Sequence, residues 1–297
     1  MKYALTVILI FILLAGAGWY FFLRQAPVPA PENLEAPATE TPVSVETPQQ
    51  DDGVTVIGRS ADGADISAFH YGTGEDELLF VGGIHGGYSW NTALVAYELM
   101  DHLEANPTAI PSNVRVTVIP AANPDGLEDV VGTTGRFDAS DVSTTVDTAA
   151  ARFNGNDVDL NRNFDCDWQQ NAMWQNKQVS GGTAAFSEPE AQAIRDYVQA
   201  NGPEAVIVWY SSAGGVYASN CHNGVLAETT EILNRYAKAS GYPAYESFDY
   251  YKITGDMTNW LAKAGIPSIS VLLTNHTSTE WSKNRAGIDA ILSYYAE

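Results

Sequence analysis

From about Asp51 onward, short runs rich in Val, Ile and Leu alternate with longer stretches of helical pattern, and this alternation limits the fold more than any other feature of the chain. Leu78–Gly82 is a short apolar run, and Val114–Ile119, Ala205–Tyr210 and Ser268–Leu273 are further β-rich runs. Between and after them lie Asn91–Leu103, Glu188–Ala200, Val225–Ser240, Met257–Ala264 and Lys283–Tyr295. A strand that is apolar throughout has to be covered on both faces, and parallel neighbours need long crossovers, usually helices. The pattern therefore predicts an α/β domain with a mixed, largely parallel central sheet and helices on both faces. Val54–Arg59 and Ile66–Tyr71, flanking Ala61-Asp62-Gly63, add a β-hairpin. Functional side chains in such sheets collect beyond the carboxyl ends of strands, so the residues after Gly82, Ile119, Tyr210 and Leu273 are the places to search.

Three segments divide the chain: 1–24, 25–50 and 51–297. Tyr3–Leu23 is almost wholly apolar between Lys2 and Arg24. A run of that length, at ~1.5 Å per residue, spans a bilayer core of ~30 Å. Ala15-Gly16-Ala17 also suits a cleaved signal peptide, whereas Trp19 to Phe22 extend the apolar run beyond it and favour an uncleaved anchor. Residues 25–50, rich in Pro, Thr and Glu, read as an extended spacer. The expectation is a single-pass membrane protein whose domain lies outside the cytoplasm. A formal net charge of −21 with no basic run excludes a nucleic-acid partner. Cys166 and Cys221 are the only cysteines, and sequence alone leaves open whether they pair or stay as buried thiols.

Several segments carry a family resemblance. They are Gly82-Gly83-Ile84-His85-Gly86-Gly87, Asn123-Pro124-Asp125-Gly126, and Arg152-Phe153-Asn154 leading into Val158-Asp159-Leu160-Asn161-Arg162-Asn163-Phe164. Ser187-Glu188-Pro189-Glu190, Tyr251 to Asp256, Asn259-Trp260 and Gly265-Ile266-Pro267 follow. From 78 to 292 the chain resembles the M14 zinc carboxypeptidases, and the Val-Asp-Leu-Asn-Arg-Asn-Phe run is the specific signal. The resemblance implies a zinc-carboxypeptidase-like fold, zinc as cofactor and peptides as substrates. It implies that Asn161 and Arg162 hold a substrate's terminal carboxylate, a role that suits a guanidinium fork and an amide. Arg152 would stabilise the oxyanion, with Arg136 a less well-aligned candidate, and Tyr251 would close over the peptide end.

The same resemblance implies a His-x-x-Glu pair, a second histidine and a separate general-base glutamate. Three protein ligands leave zinc an open position for the attacking water, and the base takes that water's proton. Only His85 is retained: Tyr88 stands for the glutamate ligand, Tyr210 for the second histidine and Leu272 for the base. A phenol of pKa ~10 is a costly ligand to ionise, and Leu272 carries no proton. Impaired catalysis is therefore expected, with the cleft binding peptide C-termini, such as those of cell-wall stem peptides. One alternative is an active zinc peptidase with ligands relocated to His222, His276, Glu280 or Cys221. The other is a structural or interaction module with a relic pocket.

Overall fold

A computed structural model describes residues 53–296. The expected anchor (1–24), the spacer (25–50) and the first two residues of the domain (51–52) lie outside those residues. Among the described residues no helix is long and apolar enough to cross a membrane.

In chain order the main elements are β1 Val54–Arg59, β2 Asp65–Tyr71, β3 Asp76–Val81, α1 Trp90–Ala105, β4 Val114–Ile119 and α2 Pro124–Val131. Then come β5 Asn171–Trp174, β6 Lys177–Ser180, α3 Pro189–Asn201, β7 Ala205–Ser211, β8 Gly215–Ala218 and α4 Ala227–Ser240. The chain continues with β9 Ala244–Tyr245, α5 Met257–Lys263, β10 Ser268–Leu273 and α6 Trp281–Tyr295. Eight strands form one sheet in the order β1-β2-β4-β3-β7-β10-β8-β9, and β5 and β6 form a separate hairpin. The central ladders β4/β3, β3/β7 and β7/β10 are parallel, whereas β1/β2, β2/β4 and β10/β8 are antiparallel. This is the mixed sheet that the alternation predicts.

The two faces separate residue by residue. Ala205, Ile207 and Trp209 of β7 join one buried cluster, with α1, α4 and α6 supplying Leu99, Ile232 and Ile288. Val206, Val208 and Tyr210 join the other, with Ile194 and Val198 of α3 and Met257 and Leu261 of α5. Burying each such aliphatic side chain contributes roughly 1.5–3 kcal/mol, so a one-residue slip of β7 would be costly. That register also sets the site. Tyr210 of β7 and Leu272 of β10 are direct ladder partners on the face covered by α5.

Helix α2 was not among the expected helices. Asn123 caps it, its side chain accepting from Gly126 N at 3.0 Å, and Pro124 begins it. The sheet's edges are modest: β1 carries a register shift between Val56 and Gly58, and β9 is two residues long. Cys166 and Cys221 form a disulfide, with their Cα atoms 6.1 Å apart. The question that sequence left open is settled in favour of the bridge.

Candidate functional site

At the carboxyl ends of β3, β7 and β10 opens a cleft of about 1180 Å³. Its walls include His85, Tyr88, Arg152, Asn161, Arg162, Tyr210, Tyr251 and Leu272, so the fold gathers these residues, singled out from sequence, in one place. Arg136 is elsewhere, paired with Asp101 and lying over Tyr97.

One end of the cleft is built on the turn Leu160–Arg162, whose start is fixed by Asp159 accepting from Asn161 N at 3.1 Å. Arg162 is 1% exposed. Its Nε donates to Met173 O at 2.9 Å and its Nη1 to Asn161 O at 2.6 Å, while Nη2 is buried without a partner. Among the described residues no carboxylate lies within ion-pair distance of it. An arginine stays charged in any protein environment, so this is a buried cation with an open donor. Asn161 donates to Asp256 Oδ2 at 2.8 Å and accepts from Met257 N at 3.1 Å, which ties the turn to the first residues of α5. Gly255, at φ +64°, has Arg162 O packed where a Cβ would stand, so the approach of these segments requires glycine there. Tyr251, half-buried, sets its ring edge-on to Phe248 at 5.2 Å.

The other end is closed by packing. His85 follows β3 through a glycine turn in which Gly86, at φ +47°, lies against Ala151 O with no room for a Cβ. His85 Nε2 meets Arg152 Nη2 at 2.9 Å. The guanidinium can only donate, so the ring proton is assigned to Nδ1, which is buried and unpartnered. Burial, then the charges of Arg152 and Arg162, hold His85 well below the usual histidine pKa, and the ring is neutral. Arg152 is spent inward: Nε binds Asp159 at 2.8 Å, and the guanidinium lies 4.5 Å from the Trp174 ring centroid. Tyr88 packs edge-on to Trp174 at 4.8 Å. Burial pushes the Tyr88 phenol up, with Arg152 opposing. Burial pushes Tyr210 well above its usual value, with Asp256 adding and Arg162 opposing, while its hydroxyl reaches Asn161 Oδ1 at 3.4 Å.

These residues do not fit zinc. A catalytic site needs three protein ligands. Here one imidazole is engaged by a guanidinium, two phenols are held protonated, and Leu272 has no donor atom. The relocated set is not assembled either. Cys221 is in the disulfide, and His222 pairs with Asp167 at 2.8 Å on the exposed side. Glu280 accepts from Tyr242 and Thr274, and His276 sits between Ser211 and Ser212 at 3.1 and 3.3 Å. Among the described residues no three His, Cys, Asp or Glu side chains are grouped for a metal.

Sequence reasoning missed Trp174, delivered by the β5–β6 hairpin, and Asp256, whose carboxylate lines the cleft. Asp256 sits at the start of α5, accepting from Asn259 N at 2.9 Å and Thr258 Oγ1 at 2.7 Å. The Asp-x-x-Asn spacing before an apolar run was a legible helix start, though not a signal of a cleft.

Residues 38–295 match the peptidase M14 zinc carboxypeptidase family. The chain belongs to that family. Its fold is similar to that of the murein-tripeptide amidase of Escherichia coli O157, with TM-score 0.56 and 21% identity over 82% of this chain and 92% of the other. Bovine thrombin-activatable fibrinolysis inhibitor is also similar, with TM-score 0.64 and 16% identity over 83% and 90%. Helicoverpa armigera carboxypeptidase A gives TM-score 0.59 and 18% identity over 82% and 66%. In sequence the chain is similar to the γ-D-glutamyl-L-diamino acid endopeptidase 1 of Lysinibacillus sphaericus, 23% identical over 217 residues, 66% of this chain. It spans about half of that relative's length (54%). Zinc is the family's cofactor, and this chain's site departs from the ligand set that the cofactor requires.

Proposed function

We propose that this family member binds the C-terminal carboxylate of peptides and is impaired in the family's zinc-dependent hydrolysis. One observation carries the reading: Arg162, in the cleft wall, is buried, charged and unpartnered at Nη2. Leaving a buried charged donor unsatisfied is costly, and a ligand carboxylate supplies the missing acceptor through a charge-assisted bond. Asp256 refines the ligand. Its carboxylate is buried, lines the same cleft and has only neutral donors around it. A cationic side chain on the ligand's last residue complements it, which agrees with the diamino-acid specificity named for the Lysinibacillus enzyme. The apolar run before residue 24 and the disulfide support a domain tethered outside the cytoplasm, where disulfides persist.

Calorimetry with a short peptide ending in lysine, as free acid and as C-terminal amide, tests the proposal. The acid binds more tightly than the amide. Equal binding of both, or of neither, leaves the pocket as a relic in a structural module. Metal analysis after dialysis against zinc gives no stoichiometric metal; one zinc per chain together with trimming of the peptide would revive the relocated-ligand peptidase. Protease accessibility on intact cells tests the tether: a shielded domain removes it.

A further inference from the structure

The Cys166–Cys221 bridge lies in the wall of the same cleft, and the hydrogen-bond pattern connects it to the arginine. Arg162 is four residues ahead of Cys166. Phe164 N donates to Gly255 O at 3.0 Å, and Gly255 N donates to Cys166 O at 2.7 Å, so Gly255 is clasped between them. The next residue, Asp256, accepts from Asn161. On the far side Cys221 follows Asn220, whose N–H donates to Asn259 Oδ1 on α5 at 3.0 Å. The sulfur bridge thus closes a ring through three segments: 161–166, which carries the grip, 255–259, which braces it, and 220–221. The Asp167–His222 pair runs alongside the bridge, but both side chains are exposed and such pairs hold weakly.

We propose that this disulfide positions the carboxylate grip and acts as a redox switch upon it. The inference rests on reading Arg162 as the carboxylate site. Closed, the bridge holds segment 161–166 against Gly255 with Arg162 in the cleft wall. A dithiol reductant opens it by thiol–disulfide exchange: a thiolate attacks one sulfur, the second thiol displaces the mixed disulfide, and the reductant leaves oxidised. Cys166 and Cys221 each gain a proton and an electron. The segment is then held to its neighbours by hydrogen bonds and the exposed ion pair, and the competent arrangement becomes one of several.

The experiment compares the oxidised protein, the protein reduced by dithiothreitol and the same sample reoxidised. Free-thiol titration monitors the bridge, near-UV circular dichroism the fold, and calorimetry the affinity for the free-acid peptide and its amide. If the reduced protein keeps the competent arrangement about a tenth of the time, affinity for the acid falls about ten-fold. Amide binding stays where it was, and reoxidation restores the acid. A Cys166→Ser/Cys221→Ser variant is fixed in the weak state. General loosening would instead lower thermal stability and leave the acid-to-amide ratio alone. A reduced, folded protein with both thiols titrated and an unchanged ratio overturns the switch, as does unfolding on reduction, because a switch needs two folded states. Absence of any acid preference in the oxidised protein overturns the carboxylate reading and the switch with it.

Discussion

Arg152 and Arg162 line one cleft and are equally buried, yet their surroundings are opposite in kind. Arg152 has its carboxylate, its imidazole and an indole face. Arg162 has two backbone carbonyls and a vacant donor. A buried charge that is already compensated is part of the structure, whereas one left open is paid for by folding elsewhere and invites a partner. The proposed function rests on this contrast: Arg162 keeps an unpartnered donor, whereas Arg152 is engaged by a carboxylate, an imidazole and an indole ring.

Substitutions sharpen that contrast. Arg152→Met should lower stability by about 3–5 kcal/mol, since it strands the fully buried Asp159 carboxylate. Urea denaturation measures this, and a loss under 1 kcal/mol would show that Asp159 finds other donors. Arg162→Ala should cost about 2–5 kcal/mol in binding of the free-acid peptide with little change for the amide; a variant that still prefers the acid would break the comparison. The pH dependence comes next. His85, His70 and His276 all have pKa values held below the usual 6.5, burial being the main cause in each. As pH falls below 6.5 the unfolded chain takes up protons that the native state refuses, so stability declines in that direction and is full above it. His85→Gln, which keeps an acceptor for Arg152, should flatten part of this decline; an unchanged slope would assign it to the other two. The smallest effect is expected of Tyr210→Phe. Its bond to Asn161 is long, and thermal melting should register a loss below about 1 kcal/mol. A larger loss would mean that the phenol has a role the packing does not show.

Much of this was legible before the structure. The β3, β7 and β10 runs announce themselves because strands covered on both faces are dominated by apolar residues. The β5–β6 hairpin does not: Asn171–Trp174 and Lys177–Ser180 are short and half polar, and their value lies in what they cover. That is why Trp174 over Arg152, and Met173 O on Arg162, were invisible. Helix α2 was read only as part of a motif, although Asn123 and Pro124 are a cap and a first-turn proline. Tyr88 and Tyr210 stand where the resemblance implies metal ligands, and Leu272 where it implies the general base, which residue types alone declared. Which way each arginine points depends on contacts with segments distant in the chain, and no local pattern encodes that.

The sheet's modest edges bear on how the molecule behaves in company. An unbroken flank of free amides and carbonyls is a template on which a neighbour's chain can add itself. The offset in β1 interrupts that template on one side, and the two residues of β9 give it almost no length on the other. At the protein concentrations calorimetry requires, a second copy of this domain therefore finds little strand length on either flank against which to pair.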